Sequence, residues 1–131
     1  MVRRLLIVLL CLASVCTACF SQINTERVIL MGRNALYYED YVLAIQRFNS
    51  VISAKPYLAE PFFYRGLAKF YLEDYAGAEA ACSLALDRRP YTAQYYTLRG
   101  LCRVNMEMYD LAVKDYRSSL QQNPMERNNW H

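Results

Sequence analysis

From Leu5 to Phe20 the chain is an almost unbroken apolar run, and from about residue 25 it changes to a mixed pattern with helical spacing. In the clearest stretch Phe62, Phe63, Gly66, Leu67, Phe70 and Tyr71 recur three and four apart, the mark of an amphipathic helix. Glu73-Asp74-Tyr75 interrupts the pattern, and Ala78, Cys82, Ala85 and Leu86 resume it on a second helix. Pro90 lies just past that helix and stops it, because proline lacks the N–H that would continue the ladder. Pro61 fits the first turn of a helix opening near Ala59, where that N–H has no partner in any case. Asn24 or Thr25 is placed to cap the first helix of the mixed region. Gly77, at a helix start, is expected to cost up to about 1 kcal/mol against alanine.

The same helix pair is written three times. Gly32, Gly66 and Gly100 stand 34 residues apart, and so do Glu39, Glu73 and Glu107. Tyr41, Tyr75 and Tyr109 keep that period, as do Ala44, Ala78 and Ala112, and Pro56, Pro90 and Pro124. Looser columns agree: Val28, Phe62 and Tyr96; Phe48, Cys82 and Tyr116; Ile52, Leu86 and Leu120. The units run over 25–58, 59–92 and 93–126. A fixed period of this size signals a repeat array, in which each unit buries its apolar faces only against its neighbours. The glycine column predicts a close approach of the first helix to the second, where the alanine column offers only a methyl group. Trp130 continues the aromatic column of Phe62 and Tyr96, so residues 127–131 read as the start of a fourth unit that the chain does not finish. An array left uncapped in this way exposes apolar surface and is expected to self-associate, or to continue as a longer array or multidomain protein.

The opening segment reads as an address. Arg3 and Arg4 precede the apolar run, and Thr17, Ala18, Cys19 and Ser21 supply small residues for cleavage, so residues 1–21 predict a secretory signal cut before Gln22. The 16 residues from Leu5 to Phe20 fall short of the about 20 that span a bilayer as a helix. A competing expectation is lipidation: Thr17-Ala18 before Cys19 resembles the site of a bacterial lipoprotein, although Cys16 stands where an aliphatic residue is usual. Either route predicts an exported protein, periplasmic or envelope-associated.

Composition narrows the function. The 131 residues carry 15 basic and 12 acidic side chains, and removing Arg3 and Arg4 with the leader leaves 13 against 12. That balance is no footprint for nucleic acid, which needs a basic stripe. Four scattered glycines form no phosphate-cradling loop, and the single histidine is His131. Two cysteines beyond the leader and one terminal histidine cannot supply the four ligands of a structural zinc site, so no metal or cofactor is expected. The acidic pairs Glu39-Asp40 and Glu73-Asp74 fall in turns, without the cleft or shifted pKa that general acid–base work requires. The expectation is a protein that binds and does not catalyse.

On the 34-residue period, the glycine and alanine columns, the final proline and the segments Tyr41-Val42-Leu43-Ala44, Tyr75-Ala76-Gly77-Ala78 and Tyr109-Asp110-Leu111-Ala112, residues 25–131 resemble the tetratricopeptide repeat (TPR) family. Ala35, Lys69 and Arg103 replace an aromatic that is usual there in the first helix. The resemblance implies an all-α, right-handed solenoid with a groove lined mainly by the first helices. By that analogy Ile29, Arg33, Leu36 and Tyr37, then Phe63, Leu67, Phe70 and Tyr71, then Thr97, Leu101, Val104 and Asn105 face the groove. Chaperone-binding members hold a peptide carboxylate with lysine, asparagine and arginine. Here Arg33 is the one basic residue at the matching positions, which argues against that activity.

An apolar groove flanked by Tyr37 and Tyr71 suits a partner helix or an extended apolar peptide of unnamed identity, unless these residues pack on the next repeat. Cys82 and Cys102 sit on stacked helices and are either a disulfide or two buried small hydrophobes. The functional expectation is a cell-envelope scaffold or adaptor, with the docking region of a larger exported enzyme or signalling protein as its alternative.

Overall fold

The structure is a computed structural model that describes residues 1–21 and 23–123. Gln22, Pro124, Trp130 and the fourth unit expected at 127–131 lie outside the described residues, as do the side chains of residues 13–21, Cys16 and Cys19 among them. The described residues form seven helices and no strand. Helix α1 spans Val2–Ser21 and exposes Leu5, Leu6, Leu9 and Leu10 to solvent. Among the described residues no helix is long and apolar enough to cross a membrane.

The remaining six helices are three hairpins: α2 (Thr25–Tyr37) with α3 (Tyr41–Ala54), α4 (Glu60–Tyr71) with α5 (Tyr75–Arg88), and α6 (Ala93–Asn105) with α7 (Tyr109–Gln122). Each helix packs on the next in chain order, and the first helices of successive hairpins also touch. The result is an all-α solenoid.

One turn, used three times, sets every hairpin. Helix α2 ends at Tyr38, Glu39 takes a left-handed conformation with φ of 61°, and Asp40 begins the next helix. The Glu39 N–H donates to the Leu36 carbonyl at 3.0 Å and the Asp40 N–H to the Ala35 carbonyl at 2.8 Å, which closes the helix end as a Schellman motif. Glu73 (φ 62°) and Glu107 (φ 60°) repeat the arrangement. On the far side of the turn the Asp40 carboxylate accepts from the Leu43 N–H at 3.2 Å and Asp74 from Gly77 at 3.0 Å, each satisfying a donor that the helix start leaves over. In the third hairpin the cap position is Met108, which makes no such bond.

The close approach expected of the glycine column is present. A Cβ on Gly32 would come within 2.6 Å of Phe48 Cε1, and one on Gly100 within 2.7 Å of Tyr116 Cε1. Gly66 meets smaller neighbours: a Cβ there would lie 3.2 Å from Ala81 Cβ and 3.4 Å from Cys82 Sγ. Around these contacts lie three clusters: Ala35, Ala44, Phe48 and Ala68; Ala59, Phe62, Ala85, Leu86 and Tyr95; and Ala78, Cys82, Leu98 and Cys102. Complete burial of one side chain such as Phe48 contributes about 2–3 kcal/mol, so the array rests on few large residues.

Gly77 departs from the expectation that it only weakens its helix. A Cβ there would collide with the capping carboxylate of Asp74, so the glycine leaves room for the cap.

Candidate functional site

The side chains of three helices leave one broad pocket of about 530 Å³ between α4, α6 and the C-terminal end of α7. Phe63, Tyr64 and Leu67 form one wall, Ala93, Gln94, Thr97, Leu98 and Leu101 the floor, and Ser119 and Asn123 the far rim. Among the described residues no charged side chain lines it. Thr97 and Ser119 join hydroxyls at 2.7 Å, so the Ser119 hydroxyl on the α7 side already has a partner. Such a surface takes up apolar side chains and offers a few neutral hydrogen bonds at the rim.

Of the residues expected to face a groove, the pocket brings together Phe63, Leu67 and Leu101, with Thr97 beside them. Ile29 and Arg33 stand apart in a smaller cleft with Glu26, Leu30 and Glu60. The Arg33 guanidinium lies 5.1 Å from the centre of the Tyr64 ring, so Tyr64 links that cleft to the main pocket. Phe70 packs on the cluster around Cys82 and lines neither cavity. Tyr37 and Tyr71 do not flank the pocket. They lie at the hairpin turns, Tyr37 edge-on to Tyr38 at 5.2 Å and Tyr71 stacked on Tyr41 at 5.2 Å.

The lining residues are not equally free to bind. Phe63 stacks on Tyr95 with ring centres 4.9 Å apart and packs against two core clusters, and Leu67 packs against one. Leu101, 40% exposed, belongs to no cluster and is the freest apolar contact of the pocket. Tyr64, Gln94, Ser119 and Asn123 were not foreseen. The far rim is supplied by a second helix, α7, and not by the first helices alone.

Cys82 and Cys102 are free thiols in the structure, so the expected alternative of a covalent bridge is not made here. Both are fully buried in one cluster. The neighbouring Cys102, then burial, pushes the Cys82 thiol far up, while Cys82 draws Cys102 down. Among the described residues no group of three or more histidine, cysteine or acidic side chains is arranged to hold a metal ion.

No family model matches the chain, and no curated protein is similar to it in sequence. Solved structures are. The first TPR domain of Spaghetti (RPAP3), bound to the HSP90 peptide SRMEEVD, is 27% identical, with a TM-score of 0.75 over 76% of this chain and 79% of that one. The TPR domain of Arabidopsis OM64 is 23% identical, with a TM-score of 0.75 over 77% of this chain and 84% of that one. The TPR2B domain of yeast Sti1, in its Hsp70 complex, is 19% identical, with a TM-score of 0.75 over 79% and 83%. Seven helices, the recurring hairpin turn and these likenesses together give the chain the fold of a TPR domain.

Proposed function

We propose that the protein is a non-catalytic scaffold of the cell envelope that holds a partner peptide or helix by its apolar side chains in the pocket between α4, α6 and α7. The observation that carries this reading is the uncharged lining: Phe63, Leu67 and Leu101 with a rim of Gln94, Thr97, Ser119 and Asn123. Peptide binding by the Spaghetti and Sti1 domains supports the general mode. The chemistry of the ligand differs, however. The peptide SRMEEVD is acidic, and none of the described residues lining this pocket is basic, so its carboxylates would lose water without gaining a partner among them. The α1 segment, with Arg3 and Arg4 ahead of an exposed apolar stretch, is the export signal in this reading, with cleavage before Gln22 or lipidation at Cys19.

Fluorescence anisotropy with two labelled probes tests the pocket: an amphipathic leucine-rich helical peptide and SRMEEVD. The helical probe binds the wild type, SRMEEVD binds at least tenfold more weakly, and Leu101→Glu loses the helical probe while keeping its circular dichroism and melting temperature. Equal binding of the two probes, or full binding by Leu101→Glu, would remove this pocket as the site.

A further inference from the structure

We propose that Cys82 and Cys102 are a latent disulfide whose closure ties α5 to α6, and so the second hairpin to the third, directly beneath the pocket wall. The inference stands on the core and does not depend on what the pocket binds. Three observations place it. The two thiols lie in the same cluster, with Ala78 and Leu98, and both are fully buried. They come from different hairpins, α5 and α6, so a bond between them crosses an interface that is otherwise non-covalent. Phe63, Leu67 and Phe70 pack on that cluster from α4, so a change in the pair is felt by two residues of the pocket wall.

The pair has unequal chemistry. Cys82 is raised by its neighbour Cys102 and by burial, whereas Cys102 is lowered by Cys82 and is the sulfur that ionises first. Arg103 adds a smaller pull in the same direction on Cys102. With a low-molecular-weight disulfide such as glutathione disulfide as oxidant, the Cys102 thiolate attacks one of its sulfurs and releases one thiolate. Cys82 then loses its proton and attacks the Cys102 sulfur of the mixed disulfide, expelling the second thiolate. The protein gives up two electrons and two protons, and the oxidant leaves as two thiols. Because neither sulfur reaches solvent, exchange requires the α5–α6 interface to open, and a bridge once closed is shielded from reductant.

The test uses the full chain, refolded in a glutathione redox buffer, trapped with an alkylating agent and mapped with trypsin without reduction. Cys82 falls in fragment 70–88 and Cys102 in fragment 100–103. The expected result is these two fragments joined, two hydrogens lighter than their sum. The oxidised chain should also melt on the order of 10 °C above the reduced one, a difference that Cys102→Ala abolishes. Joining of either fragment to Cys11, Cys16 or Cys19 instead, or both thiols alkylated after refolding in oxidant, would overturn the proposal. A bridge that forms without raising the melting temperature would overturn the tie between hairpins.

Discussion

Arg99 holds Asp115 with a two-pronged ion pair, its Nη2 2.7 Å from Oδ1 and its Nε 3.1 Å from both carboxylate oxygens. Arg103 joins from one turn along α6, with Nη1 2.8 Å from Asp115 Oδ2 and Nε 2.9 Å from Glu79 Oε2. The remaining Arg99 nitrogen, Nη1, donates to Ser83 Oγ at 3.2 Å. The cluster thereby links α5, α6 and α7. One period earlier the same register holds Arg65 and Asn49, joined at 3.0 Å, but Ala81 stands in the place of Asp115 and Arg65 Nε is buried without a partner.

Removing the shared carboxylate leaves two guanidinium groups facing each other without a counter-charge between them. Asp115→Ala is therefore expected to cost about 3–5 kcal/mol, and a thermal melt reads it directly. Exchanging both partners for apolar residues, Arg99→Met with Asp115→Leu, should recover most of the loss, because the one guanidinium left, Arg103, keeps Glu79 as its partner. Equal melts for the single and the double variant would show that packing, and not charge, is what Asp115 supplies.

Met108 occupies the cap position that aspartate fills at Asp40 and Asp74, with a backbone of similar shape (φ −92°, ψ 61° against −85°, 74° at Asp74). Met108→Asp should give the first turn of α7 the acceptor it lacks, stabilising by about 0.5–2 kcal/mol. Met108→Asn should move the melting temperature in the same direction without adding charge.

Two glycines invite opposite substitutions. Gly66→Leu drives a side chain into Ala81, the Ala78 carbonyl and Cys82 and should cost about 1–3 kcal/mol or more. Gly77→Ala gains helix propensity but displaces the Asp74 carboxylate. The first hairpin shows how this resolves: Leu43, with a full side chain, is still capped by Asp40, at 3.2 Å instead of 3.0 Å. Gly77→Ala should thus stabilise by only a few tenths of a kcal/mol, below what propensity alone supplies. Denaturant titration of both variants checks the order.

Glu73 pays for its left-handed backbone, a conformation costing a non-glycine residue about 1–2 kcal/mol. Glu73→Gly should raise the melting temperature slightly, and Glu73→Val should lower it more, since a branched Cβ suits that backbone worst. The same pair of changes at exposed Ala80, inside α5, should reverse the sign for glycine.

The period, the hairpins and the glycine contacts were legible because each is a local or strictly repeated feature. The left-handed glutamates were not: Glu39, Glu73 and Glu107 formed a visible column, but glutamate carries no signal for positive φ as glycine or asparagine does. Their shared role appears only once the hydrogen bonds of the turn are seen. The ion pair was within reach, since Arg99 and Asp115 are 16 residues apart, the same offset as Gly32 to Phe48 and Gly100 to Tyr116. The pocket rim was not, because Ser119 and Asn123 enter it through the lean of α7 against α6, a long-range property that no spacing encodes.

The charge cluster has a mechanical consequence. In a linear array each joint resists separation with its own contacts. Between α5 and α6 the joint is sewn by Arg103 to Glu79, Arg99 to Ser83 and the cysteine pair. Between α3 and α4 it has Arg65 to Asn49 and the stacking of Phe48 on Tyr64 and of Tyr41 on Tyr71. Pulled from its two ends, the molecule should therefore yield in sequence, first at the α3–α4 joint and later, at higher force, at the α5–α6 joint. The pocket, spread over α4, α6 and α7, would ride on the part that holds.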